Sequence, residues 1–188
     1  MGYKQYAKDY EIEYVDRPGK KRPKAVRIYV GPYYRFAAEP QRVRQTKWMY
    51  LAGILTLALF LLLPLCVNGT LARTWYVQVP AAAAWIPFVL AAASVWRLWT
   101  AGEKVEREHH DLMGGRMSGA CLFLLIFSLV SAVGAALTIG RIEAAREDWL
   151  VLGCMACAAV CSALLFARRK DLAMVEVENP EKPQAKKK

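Results

Sequence analysis

The chain has 188 residues and a formal net charge of +10, and 56% of its residues are hydrophobic. The apolar residues are concentrated in four runs without a charged residue. A soluble helical bundle is not expected, because its helices would need polar faces at a 3.6-residue period, and these four runs are apolar all round. A nucleic-acid-binding protein is not predicted either, since no recognisable nucleic-acid motif accompanies the positive charge.

Residues 1–47 are predicted to form a small cytoplasmic β-hairpin region followed by an interfacial connector. Residues 10–14 alternate apolar and charged side chains, residues 25–30 are rich in β-branched residues, and residues 16–23 between them carry a turn signal. A lone hairpin is marginal in water. We therefore expect it to dock on the membrane domain, on the lipid surface or on another protein.

The four apolar runs predict an all-α membrane domain, since each is close to the roughly 20 residues that cross about 30 Å of hydrocarbon as a helix. The predicted spans are residues 48–67, 79–96, 118–140 and 149–167. Pro80 and Pro87 predict a bend in the second span. Residues 104–111 are compatible with a helix, and Gly114-Gly115 predicts that it stops there.

The distribution of Lys and Arg predicts the orientation of the chain. Twelve lie in residues 1–47, four around the connection between the second and third spans, seven from Arg168 onwards, and three in the other two loops. Cytoplasmic segments carry the excess of Lys and Arg. We predict a protein of the cytoplasmic (inner) membrane with both termini in the cytoplasm.

Basic residues next to the spans are predicted to contact lipid head groups, because each Lys or Arg near an anionic surface contributes roughly 1 kcal/mol of attraction. These residues are Arg42, Arg44, Lys47, Arg168, Arg169 and Lys170. Residues 168–188 form a basic tail rich in Pro, Glu and Lys. We expect that tail to be disordered.

Small residues in the third and fourth spans predict faces that allow close helix packing. The predicted packing residues are Ser131, Gly134, Ala135, Gly153, Ala156, Cys157, Ala158 and Cys161. Such faces serve contacts within the bundle or with another subunit.

Cys154 and Cys157 form a Cys-x-x-Cys pair in the fourth span, and Cys66 ends the first span on the same predicted side. Two thiols at this spacing can cycle between dithiol and disulfide. The arrangement resembles the vitamin K epoxide reductase family, four-helix membrane oxidoreductases whose last core helix carries a Cys-x-x-Cys pair that exchanges electrons with a quinone. The outer loop after Cys66 lacks the additional cysteine pair of that family. We favour packing over redox chemistry, because thiols in apolar surroundings are unreactive.

No metal site and no cofactor are predicted. His109 and His110 are adjacent, so on a helix their side chains point about 100° apart and cannot easily hold one ion. The Glu and Asp residues around them read as a solvated polar segment.

The sequence favours a non-enzymatic accessory or assembly subunit of a larger membrane complex, docking through its helix faces and its N-terminal region. The predicted partners are membrane lipid and other membrane subunits, or further copies of the chain. The spans contain no Asp, Glu, Lys, Arg or His, and ion coupling usually needs such a residue inside the bilayer. Two alternatives stay open: a thiol-disulfide oxidoreductase using Cys154 and Cys157, and a conduit for a neutral or lipid-like solute.

Overall fold

The computed structural model describes residues 6–15, 24–102 and 104–177. The protein is mostly helical and has four helical segments long and apolar enough to cross a membrane, together with a small N-terminal sheet. The four segments are Pro40–Cys66, Trp75–Thr100, Arg107–Ile139 and Arg146–Leu172. The coarse fold predicted from the four apolar runs is therefore confirmed.

The first segment is helix α1 (Pro40–Leu62), continued by a 3-10 turn at Leu63–Cys66. Proline occupies the first helical position, where it loses no hydrogen bond. The helix begins eight residues before the predicted span at residue 48, because the boundary of an apolar run marks where charges begin and not where helical hydrogen bonding begins. The three basic residues of this first stretch thus lie on the helix.

The second segment consists of α2 (Trp75–Ala83) and α3 (Trp85–Thr100), which are interrupted at Ala84. The interruption lies between Pro80 and Pro87, where the two prolines predict a bend. The second segment therefore crosses the bundle as two shorter helices and not as one continuous helix.

The third segment starts with α4 (Arg107–Asp111), passes through a π-helical turn at Leu112–Arg116 and continues as α5 (Met117–Ile139). The predicted stop at Gly114-Gly115 is wrong. The chain accommodates both glycines in the π turn, so the helical path continues to Ile139.

The fourth segment is α6 (Arg146–Ala167), followed by a 3-10 turn at Arg168–Leu172. The four segments form a ring in which α6 packs on α1 and α5, and α3 packs on α1 and α5. Large apolar side chains fill its centre, among them Leu57, Leu98 and Leu124, none of which is exposed.

The outside of the bundle is also apolar. Leu55, Ile86, Leu137 and Leu164 are each more than 60% exposed. A soluble protein rarely exposes such a continuous apolar surface, whereas helices in hydrocarbon do so by necessity. The exposed belt therefore supports the assignment of the four segments as spans.

The strands β1 (Tyr10–Val15) and β2 (Lys24–Tyr29) pair antiparallel, with Tyr10 opposite Tyr29 and Val15 opposite Lys24. This pairing confirms the hairpin predicted from residues 10–14 and 25–30. The predicted turn lies mostly in residues 16–23, outside the described residues.

A second sheet has the strand order β4-β3-β5 and joins distant parts of the chain. Strand β3 (Tyr33–Phe36) pairs antiparallel with β4 (Val105–Glu106), between α3 and α4, and with β5 (Met174–Val177), after the last span. We call this end of the bundle the sheet end. The opposite end, with the connections after Cys66 and Ile139, is the loop end.

The structure differs from the disordered tail that was predicted for residues 168–188. Leu172 is buried, the Ala37 N–H donates to the Ala173 carbonyl at 3.0 Å, and Met174–Val177 is a strand. Hydrogen bonds pair the backbone groups of this segment and keep it ordered. The charged composition of the tail gave no sign of this pairing. Residues 178–188 lie outside the described residues.

Candidate functional site

The sheet end is held together by tyrosine hydroxyls from the N-terminal region. Tyr6 Oη donates to Asp111 Oδ2 at 2.8 Å, and Tyr10 Oη donates to Glu106 Oε2 at 2.7 Å. The hairpin is therefore fastened to the connection between the second and third spans, which realises one of the docking modes expected for it.

Tyr29 links the hairpin to the same connection. Its hydroxyl oxygen accepts the Arg107 N–H at 3.0 Å and its O–H donates to the Pro32 carbonyl at 2.8 Å. Burial raises the pKa of Tyr29 and, more strongly, that of Tyr10. The hydrogen bond to Asp111 is the main cause that raises the pKa of Tyr6. These phenols stay neutral and able to donate.

His110, the second residue of the adjacent histidine pair, contacts an aromatic ring and a carboxylate. The His110 ring stacks on Tyr34 with centroids 4.2 Å apart, and its Nδ1 lies 3.1 Å from Asp111 Oδ1. Among the described residues, no group of three or more His, Cys, Asp or Glu side chains is arranged to hold a metal ion.

The sheet end also carries an open surface. A cavity of about 370 Å³ lies between the hairpin and α4, with Tyr6, Ile12 and Glu108 among its lining residues. Ile12 is 59% exposed and Val175 56%. Strand β5 stands at the edge of its sheet, so one side of its backbone has no strand partner among the described residues.

Three of the six predicted head-group residues lie together at the sheet end. Arg42, Arg168 and Lys170 line one cavity of about 550 Å³ beside the start of α1. Asp171 lines it too and pairs with Arg168 at 3.4 Å. The structure thus brings three basic residues together around a polar cavity.

The other three head-group residues are placed differently. Arg44 is exposed. Arg169 is exposed and lies over the Phe166 ring, 4.2 Å from its centroid. Lys47 is half-buried, and its Nζ donates to the Ala101 carbonyl at 2.9 Å. Lys47 therefore ties α1 to the end of α3.

The predicted packing face of the third span meets the second span. Ser131 and Ala135 are fully buried, and Ser131 Oγ donates to the Val77 carbonyl at 2.9 Å. A side chain at Gly134 would meet Tyr76 at 3.3 Å. These small residues let α2 approach α5 closely.

The predicted packing residues of the fourth span divide between two faces. Ala158 is buried, and half-buried Cys161 donates from Sγ to the Gly53 carbonyl at 3.6 Å, against α1. Gly153, Ala156 and Cys157 are exposed and face away from the bundle.

All five cysteines are free thiols. Cys154 is buried and Cys157 is exposed, so the two thiols of the Cys-x-x-Cys pair face different surroundings on a continuous helix. Cys66 is exposed at the loop end. Both thiols lie inside α6, away from its ends, and no described residue gives the pair the cationic environment that activates a thiol.

Asp148 is a buried polar residue that the sequence analysis missed. It is fully buried at the start of α6, where Oδ1 accepts the Leu71 N–H at 2.9 Å and Oδ2 accepts the Ala145 N–H at 3.2 Å. A Cβ at Gly69 would lie 2.6 Å from Oδ1, so only glycine lets this loop approach the carboxylate. The signal was an acidic residue three positions after the N-cap residue Ala145, and it was missed because the span was predicted to begin at Trp149.

No family model, no curated protein and no solved structure matches this chain. The resemblance in the fourth span therefore rests on Cys154 and Cys157 alone.

Proposed function

We propose that the protein is a non-enzymatic accessory or assembly subunit of a larger membrane complex. It would lie in the cytoplasmic membrane with its sheet end in the cytoplasm. The orientation is supported by charge, since all the Lys and Arg residues that the structure describes lie in segments at the sheet end, except Arg73, Arg141 and Arg146.

The observation that carries this proposal is the edge strand β5. Its Val175 and Val177 are 56% and 40% exposed, and its outer backbone edge has no strand partner among the described residues. Proteins usually blunt an open edge with charges, proline or a bulge. An edge bearing exposed valines is suited to pairing with a strand of another protein.

The sheet also makes a good docking element because it is fixed to the spans. Strand β3 immediately precedes α1, β4 follows α3 and β5 follows α6. A partner bound at β5 would therefore be held in a defined position relative to the membrane domain, which is what an assembly subunit must provide.

A second contact surface lies in the membrane. Gly153, Ala156 and Cys157 are exposed on one side of α6, and small residues at such a surface let another helix approach closely. The partner we infer is a different membrane subunit that contributes one helix there and an extended segment at β5.

The test is co-purification of the tagged full-length chain from its native membrane in mild detergent, with partner identity and particle mass determined. Val175→Lys with Val177→Lys should abolish recovery of a stoichiometric partner. Glu176→Lys is the matched control, because it changes the net charge by the same two units on the opposite face of the strand. The control should retain the partner.

Recovery of the unmodified chain only as a monomer or homo-oligomer would overturn the proposal. A partner lost equally from both variants would mean that the exposed valines of β5 do not bind it. Each variant must elute and melt as the unmodified protein does, so that a lost partner is not explained by unfolding.

A further inference from the structure

A lateral groove on the membrane domain lies between α3 and α5. Its volume is about 630 Å³, and it is lined by apolar side chains such as Ile86, Leu90 and Phe123. These three side chains are each at least 55% exposed, so the groove opens to the surroundings of the bundle. In a bilayer, those surroundings are acyl chains.

Small residues are part of the groove lining. Ala93 and Gly119 line it, and a Cβ added at Gly119 would meet nothing within 4 Å. The groove is therefore an unfilled depression between two packed helices. Because atoms lining a void lose their contacts, hydrocarbon from the bilayer has to occupy it.

Two arginines close the groove at the sheet end. Arg97 lies in the last turn of α3, Arg116 lies directly before α5, and both line the same groove. Neither guanidinium pairs with a carboxylate among the described residues. In the part of the chain that the structure describes, no acidic side chain lines the groove. The positive charge at its mouth is therefore available to an anion.

The length of the groove fits one leaflet of a membrane. Ile86 to Arg97 on α3, and Arg116 just before α5 to Phe127 on it, are each separated by eleven residue steps, or about 16 Å at a rise of 1.5 Å per step. Half of the roughly 30 Å hydrocarbon thickness is about 15 Å. An acyl chain in the groove would thus run from the bilayer centre to a head group at the arginines.

Taking these features together, we propose that the groove is a binding site for a single anionic glycerophospholipid. One acyl chain lies between α3 and α5, and the head-group phosphate contacts Arg97 and Arg116. Guanidinium groups suit this role because their fork of N–H donors matches phosphate oxygens. Basic pockets between spans on the cytoplasmic side recognise lipid head groups in the same way. This site is separate from the Arg42, Arg168 and Lys170 cavity and does not rest on the proposed partner.

The test is native mass spectrometry of the delipidated full-length protein, titrated with phosphatidylglycerol or with phosphatidylcholine of the same acyl chains. We expect one tightly bound phosphatidylglycerol. Arg97→Gln and Arg116→Gln should each weaken its binding about fivefold. The double variant should bind both lipids alike. Gly119→Leu, which fills the groove, should lower the occupancy of both lipids.

Matched controls separate this site from general lipid contact. Arg107→Gln removes an exposed arginine at the same end that does not line the groove, and Ala136→Leu adds a leucine at an exposed position of α5 outside the groove. Neither should change the preference for phosphatidylglycerol. The melting temperature of every variant checks that it is folded.

Three outcomes would overturn the inference. Equal binding of the two lipids by the unmodified protein would remove the head-group selectivity. Equal losses in the Arg97→Gln and Arg107→Gln variants would indicate diffuse surface charge. Displacement of the lipid by inorganic phosphate or glycerophosphoglycerol at comparable concentration would indicate an anion site that does not use the acyl chain.

Discussion

The Asp148 carboxylate joins three parts of the loop end. It accepts N–H groups from Leu71, in the connection after the first span, and from Ala145, at the start of α6. Each bond uses a different oxygen, and the side chain is completely buried. A negative charge at a helix N-terminus is stabilised by the helix dipole. This one residue therefore holds two loops and a helix start in register.

We predict that Asp148→Ala lowers the free energy of unfolding by about 2 to 4 kcal/mol, because it leaves a buried N–H unpaired and removes the carboxylate from the helix start. Asp148→Asn keeps one acceptor oxygen and should lose less. The measurement is reversible unfolding in a detergent titration.

Glu147→Ala is the control for Asp148. Glu147 is also in the first turn of α6 but is exposed, so it shares the helix-dipole effect without the buried bonds. Equal losses for Glu147→Ala and Asp148→Ala would contradict the role given to the buried carboxylate.

At the scale of the element, strand β5 depends on a partner far away in the sequence. Tyr33 pairs with Val177 and Phe36 with Met174. Strand β3 has only four residues and β4 only two. Such short strands are stable only when their neighbours are in place. The sheet should therefore lose its order as a unit when β5 is removed.

We predict that truncation after Ala173 speeds amide hydrogen exchange in Tyr33–Phe36, because the hydrogen bonds to β5 are lost. Truncation after Val177 removes only the residues beyond the strand and should leave that exchange unchanged. Hydrogen–deuterium exchange with mass spectrometry measures both. The same exchange rate in the two truncated chains would mean that β5 does not stabilise β3.

The elements differ in how far they could be predicted. The hairpin was visible because residues 10–14 alternate over a length that a period of two can reveal. Strands β3 and β5 are too short to show a pattern, and their pairing joins segments on either side of all four spans. The spans were predicted from apolar length alone, whereas their true ends depend on caps and contacts.

The candidate site was less predictable than the fold. Composition identified Gly153, Ala156 and Cys157 as small residues but not that they face outwards. Arg97 and Arg116 stood at separate span ends in the sequence, and only the packing of α3 against α5 brings them to one groove. Such convergence depends on tertiary contacts, which a local pattern does not encode.

At the scale of the whole molecule, the two ends of the bundle differ in charge. The sheet end carries the exposed basic residues beside α1 and α6. The exposed thiol of Cys66 lies at the opposite, loop end. The proposed orientation, with the sheet end in the cytoplasm, is supported by the excess of Lys and Arg on that side. The opposite orientation would place Cys66 in the cytoplasm.

We predict that a membrane-impermeant maleimide labels Cys66 in right-side-out vesicles, in a chain whose other four cysteines are replaced by alanine. A cysteine-free chain carrying Gln41→Cys should react only after the vesicles are opened, because Gln41 is exposed at the sheet end. Labelling is measured by intact-protein mass. The reverse pattern would invert the proposed orientation.

The pairing of β3 with β5 has a consequence for biosynthesis. A ribosome completes β3 before the first span and makes β5 only after the last, so β3 waits for its partner throughout insertion. Closure of the sheet thus requires that all four spans are inserted with the correct sidedness. A chain stalled or cleaved before Met174 keeps the Tyr33–Phe36 edge open, and open edges invite aggregation. A closed sheet is therefore expected only in chains whose translation and insertion are complete.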